Sequence, residues 1–387
     1  MRSVFKTTLV VILMTFNGRL RAQEVCRGFN VLMNSPEDKL LLAVNGASTP
    51  QQQIQALDAY VHGSPDQNFM PCVDEYYTSA YLKEQDYAQA VAYGQKALAA
   101  HYQDQLLLLN LAKAYIGAAQ APPEAFDVIF REPAEIRKEA PKTPPAGSAG
   151  ASGQKPESSS EAKDITAYME YAFFFLLPRV PDANQRLQYL SRFSQVYADP
   201  SQQTRMDFQY FLAYATLNDR AQMEQYGEKV IAEDPNNVDA LGQLAYAYAF
   251  NHTDLGKATD YAERVLKVAP TISPPNGVSA AEFQSEVNGK LGLAHLTLGY
   301  VDFLEAPHTR RIEPAIEQFK AASSLLNGND LYKAQALYLL AQAYEYGYPP
   351  NHRAAAAALE EAVQLKTPVQ EQARVLLEKV RAAEKRH

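Results

Sequence analysis

The same residue types recur along this chain every 34 or 35 positions. Tyr81 and Tyr115 lie 34 residues apart, and so do Tyr214 and Tyr248. Three prolines follow one another at intervals of 35 residues: Pro200, Pro235 and Pro270. A period of this length is typical of repeat architectures, in which each unit buries its apolar face only by stacking on its neighbours.

Within each period, the apolar residues recur every three or four positions, as they do on one face of an α-helix. Leu337, Leu340 and Tyr344 show this spacing clearly. No alternating strand pattern with hairpin turns occurs anywhere in the sequence. The sequence therefore predicts an all-α fold, an α-solenoid of stacked antiparallel helix pairs.

Small residues and tyrosines stand at fixed places within the units. The matching pairs are Ala112 with Tyr115, Ala245 with Tyr248, Ala90 with Ala97, Ala258 with Val265, Ala315 with Ala322, and Ala355 with Ala362. In these places, and in the turn at 234–237, the chain resembles the tetratricopeptide repeat family. The resemblance covers most of residues 71–387 and implies a right-handed superhelix. The chain departs from the family pattern where Phe211 and Met223 replace small residues, where His295 replaces a tyrosine, and in having no tryptophan.

The repeats also predict how the chain is divided. Thr49 and Pro50 are typical of a helix start, and they predict a helix over residues 51–61. A tract rich in proline, serine, glycine and alanine predicts a disordered linker, which either separates two sub-arrays or loops out of one array. The predicted segments are an N-terminal cap at 23–70, two repeat units at 71–130, the linker at 131–163, an irregular helix pair at 164–203, further units at 204–367, and a capping helix at 368–387.

Residues 1–22 have the layout of a secretory signal peptide. Arg2 and Lys6 precede the apolar run Thr7–Phe16, and residues 17–22 follow as a candidate cleavage region. Ten apolar residues are too few to span a bilayer, which takes about 20 in a helix. We therefore expect export to the periplasm or the extracellular space, and no transmembrane segment after cleavage. An uncleaved membrane anchor is the alternative.

The chain has two cysteines, Cys26 and Cys72. An even number of cysteines in an exported chain favours a disulfide, which here would tie the N-terminal cap to the first repeat unit. Two unrelated buried thiols are the alternative, because spacing in the sequence does not show that the two Cα atoms come within reach.

Composition and motifs exclude several classes of function. The formal net charge is −8, whereas nucleic-acid binders usually carry a basic face. The sequence has no HExxH, GxSxG, Walker or GxGxxG motif, and its seven histidines lack metal-ligand spacing. We therefore predict neither an enzyme nor a cofactor or metal site. Catalytic carboxylates converging from distant units are the remaining alternative.

The family resemblance implies that the first helix of each pair lines a concave face. The residues placed there are Asn110, Lys113, Gln209, Asp239, Gln243, Tyr246, Phe250, Gln335, Tyr338, Gln342 and Tyr346. A lining of amides and tyrosines suits an extended peptide backbone. The family's basic clamp is not reproduced, because Glu75 and Ser79 stand where lysine and asparagine are needed.

The predicted function is a non-catalytic, exported scaffold that binds a protein or an extended peptide. One alternative is a carbohydrate-binding protein of the bacterial envelope, built on similar helices. Another is that some of the residues placed on the concave face pack against neighbouring helices instead of contacting a partner.

Overall fold

The computed structural model describes residues 29, 31–63, 65–100, 104–139, 158–197, 200–274 and 278–385. These residues form seventeen α-helices and three short 3-10 helices, with no β-strand among them. Neighbouring helices pack in consecutive pairs, so the predicted all-α solenoid is confirmed. One compact unit ends at Gln202 and the other begins at Gln203. We call them the N-terminal unit and the C-terminal unit.

The N-terminal unit contains eight of the α-helices in the described residues. They are α1 (Pro36–Gly46), α2 (Pro50–His62), α3 (Met70–Lys83), α4 (Tyr87–Ala99), α5 (Gln105–Gly117), α6 (Pro123–Glu139), α7 (Ser158–Leu176) and α8 (Ala183–Val196). Aspartates begin several of them: the Asp86 side chain accepts from the Gln89 amide at 3.1 Å and so caps α4.

The C-terminal unit contains the other nine. They are α9 (Gln203–Leu217), α10 (Arg220–Glu233), α11 (Val238–Phe250), α12 (Leu255–Val268), α13 (Ala280–Thr309), α14 (Glu313–Leu325), α15 (Asp330–Tyr346), α16 (His352–Gln364) and α17 (Gln370–Glu384). Helix α17 lies within residues 368–387, where the sequence predicts the capping helix. Its buried residues, Ala373, Leu377 and Val380, close the end of this unit's core.

The N-terminal cap is a helix pair rather than the single predicted helix. The predicted start at Thr49 is confirmed, since its hydroxyl accepts from the Gln52 amide at 3.2 Å. Helix α1 was missed, although Ser35 caps it and Pro36 occupies its first turn. The buried side chains of α1 and α2, Val44 and Leu57 among them, pack in one cluster with α3.

The predicted linker at 131–163 is wrong at both ends. Helix α6 continues to Glu139, and α7 begins at Ser158, so only residues 140–157 lie outside the described structure. The linker was predicted from its composition, which shows no apolar period but does not locate helix ends. Within α6, Pro133 has no N–H to donate to the carbonyl of Ile129. The buried Tyr197 hydroxyl donates to that carbonyl at 2.5 Å and satisfies the acceptor.

One first helix of the C-terminal unit is much longer than the others. Helix α13 runs through Pro307 as a 30-residue helix. The helix begins with a capping box, in which the Ser279 hydroxyl accepts from the Glu282 amide and the Glu282 carboxylate accepts from the Ser279 amide. His295, on the same helix, is half-buried, and its Nδ1 lies 2.6 Å from the Gln318 Oε1.

Successive helix pairs meet where a leucine packs against a glycine. A Cβ added to Gly94 on α4 would lie 2.5 Å from a methyl carbon of Leu111 on α5. The same contact recurs in the C-terminal unit, where a Cβ added to Gly227 would lie 2.8 Å from a methyl carbon of Leu244. At these two junctions, the absence of a side chain therefore sets how closely the second helix approaches the next first helix.

A tyrosine hydrogen bond accompanies this contact in both units. The Gln95 side chain donates to the Tyr115 hydroxyl at 2.7 Å. The Tyr248 hydroxyl donates to Glu228 at 2.6 Å, and Glu228 also accepts from Lys257 and Tyr261. Burial alone would raise the pKa of Glu228, but these hydrogen bonds outweigh it and lower the pKa.

Several predictions concern residues outside the described structure. The signal peptide at 1–22 lies there, as does Cys26, while Cys72 is fully buried on α3. In the part of the chain that is described, no helix is both long enough and apolar enough to cross a bilayer.

The disulfide remains a prediction. We expect peptide mapping of the exported protein under non-reducing conditions to recover Cys26 joined to Cys72. Because Cys72 lies in the core that joins α1, α2 and α3, reduction should destabilise this region first. Recovery of both residues as free thiols would contradict the prediction.

The glycine contact predicts opposite effects for two glycine substitutions in the C-terminal unit. Gly227→Ala should lower the free energy of unfolding by about 1–3 kcal/mol, because the new methyl group overlaps Leu244. Gly289→Ala, on α13, is the matched control. It meets no atom within 4 Å and should raise stability by about 0.5–1 kcal/mol, since alanine favours helix. Denaturant unfolding of the two variants measures both effects, and equal changes would contradict the packing argument.

Candidate functional site

The first helices of successive pairs pack side by side in the C-terminal unit. Helix α11 contacts α13, α13 contacts α15, and α15 contacts α17. Among the described residues, the second helices α12, α14 and α16 make no comparable contacts with one another. The first helices therefore form the inner layer of this unit. We call the side of this layer that carries the predicted residues the A-helix face.

The structure brings together four of the residues that the sequence placed on this face. The Tyr246 hydroxyl donates to the Gln335 side chain at 2.8 Å, joining α11 to α15 across 89 residues of sequence. The Phe250 ring stacks on Tyr246, with 4.3 Å between centroids, while Gln243 hydrogen-bonds Tyr332. Side chains of α11 and α15 thus contact each other across α13, the helix that packs between them.

These aromatic side chains are mutually packed rather than free. Phe250 lies parallel to Tyr300 on α13 at 4.1 Å, and Tyr246 meets Tyr332 edge-to-face at 5.2 Å. Burial raises the pKa of Tyr246 to about 12. This stretch of the face supports the structure of the unit, as the alternative of packing against neighbouring helices predicted. Tyr246 and Phe250 are partly buried and pack against the core of the unit.

The A-helix face is more open farther along α15. Tyr338, Gln342 and Tyr346 follow Gln335 on one helical stripe. Tyr346 is half-exposed, and its ring meets Phe303 at 6.1 Å. Beside this stripe, a shallow, open groove of about 280 Å³ lies where Tyr338 of α15 meets α17. We call it the α15–α17 groove, and its lining residues are Tyr338, Glu371, Gln372, Val375, Leu376 and Lys379.

The groove combines several kinds of contact in a small space. Gln372 offers an amide donor and acceptor, and Tyr338 offers a phenol. Val375 is 44% exposed. Glu371, which also pairs with Arg374, and Lys379 place opposite charges two helical turns apart. Hydrogen-bonding, apolar and charged groups are therefore available together.

The other predicted residues lie apart from this groove. Gln209 is half-buried on α9, and exposed Asp239 pairs with Lys290 at 3.1 Å. Asn110 and Lys113 belong to the N-terminal unit. Asn110 is buried, while the Lys113 ammonium lies 5.7 Å from the centroid of the Tyr168 ring, and burial lowers the pKa of Lys113.

Sequence reasoning missed the contribution of α17. It treated this helix only as a polar cap, although Gln372, Val375 and Lys379 recur every three or four residues and therefore share a face. Their position beside α15 depends on tertiary packing, which the local sequence does not encode. No group of three or more metal-ligating side chains occurs among residues whose positions are described.

Comparison with known proteins adds no family to this geometry. No family model matches the chain, and no curated protein matches it well enough to count as a relative. The tetratricopeptide resemblance therefore stays a prediction that rests on the repeats.

The packed aromatic cluster predicts a loss of stability in a double variant. Tyr246→Ala with Phe250→Ala should lower the free energy of unfolding by about 3 kcal/mol or more, because both rings contact α13 or α15. Tyr346→Ala, on the same face, is the control and should change stability by less than about 1 kcal/mol. Thermal or urea unfolding compares them. A double variant as stable as the wild type would contradict the packing described.

Proposed function

We propose that this chain is an exported, non-catalytic scaffold of tetratricopeptide type that binds an extended segment of a partner protein. The stripe on α15 and the α15–α17 groove form the binding surface. The observation that carries the proposal is the mixed lining of this groove, in which Gln372, Tyr338 and exposed Val375 stand side by side.

An extended peptide needs three things from its receptor. Its backbone needs hydrogen-bond partners, its side chains need apolar contacts, and its charges need counterparts. Gln342 and Gln372 are suited to the backbone, Val375 and Tyr346 to the side chains, and the charges of Glu371 and Lys379 set its direction. The residues of α15 and α17 that we propose contact the peptide are Tyr338, Gln342, Tyr346, Glu371, Gln372, Val375 and Lys379.

The length of the surface fixes the size of the ligand. From Gln335 to Tyr346, α15 advances about 17 Å at 1.5 Å per residue. An extended strand covers that length with about five residues at 3.3 Å each. We therefore propose that the partner contributes a short extended segment rather than a folded domain.

The N-terminal sequence supports the cellular setting of this proposal. The signal-like layout of residues 1–22 favours export, so the partner would be a periplasmic or extracellular protein. The Cys26–Cys72 disulfide belongs to the same proposal, because such bridges persist in oxidising compartments.

A display library of unstructured peptides tests the proposed surface. Peptides selected on the purified protein should bind Val375→Arg at least about tenfold more weakly, since the long cation fills the groove. Leu217→Arg is the matched control, because Leu217 is an exposed aliphatic residue on α9, outside the groove. It should leave the affinity unchanged.

Two outcomes would contradict the proposal. Selected peptides that bind both variants as tightly as the wild type would place the site elsewhere. Alternatively, no peptide is enriched while a glycan array shows saturable binding that Tyr346→Ala and Tyr348→Ala remove. That result would favour the carbohydrate alternative, in which exposed tyrosine rings stack on sugars.

A further inference from the structure

Two three-helix segments of the chain carry the same chemistry at the same spacing. Helices α3–α5 align with α9–α11 without a gap, at a constant offset of 133 residues. Both segments turn between their first two helices through a residue of positive φ, Gln85 in one and Asn218 in the other. The identical residues include Asp74 with Asp207, Tyr77 with Tyr210, Tyr81 with Tyr214, Tyr93 with Tyr226, Gly94 with Gly227, and Lys96 with Lys229.

In the N-terminal unit, three of these residues form a stack of phenol rings. Tyr93 on α4 stacks on Tyr77 and Tyr81 of α3, with centroid distances of 4.3 and 5.5 Å. The Lys96 ammonium lies 4.2 Å from the centroid of the Tyr93 ring. Asp74 lies on α3, one turn before Tyr77, and is only 9% exposed.

The C-terminal unit repeats this arrangement. Tyr226 on α10 stacks on Tyr210 and Tyr214 of α9, at 4.8 and 5.5 Å. The Lys229 ammonium lies 4.5 Å from the centroid of the Tyr226 ring. Asp207, the counterpart of Asp74, is 3% exposed. A carboxyl group is thus buried beside a tyrosine stack in both units.

Few charged groups on the helices packed against α3 stabilise the carboxylate form of Asp74. Helix α4 supplies Lys96, while Asp58 on α2 accepts from the Tyr77 hydroxyl at 2.6 Å. Helix α5 carries Lys113, which lies beside Tyr168 instead, and Glu75 on α3 itself is acidic. Burial outweighs the attraction of Lys96 and raises the pKa of Asp74 to about 6.

The surroundings of Asp207 also favour its protonated form. Burial raises its pKa, and the acidic Glu233 on α10 adds to the effect. The Gln203 side chain donates to Asp207 at 2.9 Å, and Lys229 attracts its charged form, but both only reduce the shift. Helix α11 contributes no free charge nearby, since Asp239 is paired with Lys290.

We propose that Asp74 and Asp207 are a matched pair of acid-responsive switches, one in each compact unit. Each carboxyl takes up a proton from water when the surroundings become mildly acidic, and each unit then becomes more stable. The direction follows from proton linkage. At Asp74, between the ordinary aspartate pKa of about 4 and the folded-state pKa of about 6, the folded chain binds a proton that the unfolded chain does not. The raised pKa of Asp207 acts in the same direction. This stabilisation is present in acid and is lost as the pH rises through the folded-state pKa.

Asparagine substitutions test the proposal, because asparagine keeps the shape of aspartate and is neutral at every pH. Asp74→Asn and Asp207→Asn should each melt about 3 °C above the wild type near pH 8, and the double variant should gain in both units. The difference from the wild type should vanish near pH 4, where the carboxyl groups are protonated. Calorimetry of the full chain across this pH range measures it.

The control is Asp260→Asn, which neutralises an exposed aspartate paired with Arg264 on α12. Its melting temperature should differ from that of the wild type by about 1 °C or less at every pH. Variants of Asp74 and Asp207 that melt below the wild type at pH 8 would overturn the proposal, because the charged carboxylates would then be stabilising. A difference that stays constant from pH 4 to 8 would overturn it as well.

Discussion

In both units, helix stacking depends on one close contact, in which a leucine of a first helix packs against a glycine of the preceding second helix. Leu111 packs on Gly94, and Leu244 packs on Gly227. Any larger residue at the glycine would push the two helices apart. The two glycines of α13 that face α14, Gly292 and Gly299, allow the same close approach within a pair. At these contacts, helix separation is set by positions that carry no side chain.

Where helices approach closely, polar groups between them need hydrogen-bond partners. A tyrosine hydroxyl provides such a partner in both units. The Tyr115 and Tyr248 rings fill the space between pairs, while their hydroxyls bond to Gln95 and Glu228 of the preceding helix. Glu228 stands where the N-terminal unit has Gln95, and its additional negative charge is paired with the Lys257 ammonium at 2.8 Å. The repeated tyrosines thus resemble one another in packing, while the polar partner varies between copies.

The 34-residue period, the helical spacing and the caps were enough to predict the fold class and most helix positions. The errors came where a distant residue changes a local rule. The composition-based linker was drawn too wide: α6 passes Pro133, and the Ile129 carbonyl that lacks a helical donor there accepts from Tyr197, 68 residues away. The sequence placed Tyr246 and Gln335 on one face correctly. Their direct contact depends on how closely α11, α13 and α15 pack, which no local pattern encodes.

The same close packing determines where a partner can reach the A-helix face. Between α11 and α15 the inward side chains fill the space themselves, because Tyr246, Phe250 and Tyr332 contact one another or the intervening helix. Among the described residues, the helices that pack against α17 are α16 and α15. Helix α17 buries Ala373, Leu377 and Val380 against the preceding pair and leaves Gln372 and Val375 beside α15. The core that α17 closes and the groove that we propose for binding therefore lie on two separate faces of this helix. Substitutions on its groove side should leave that core undisturbed.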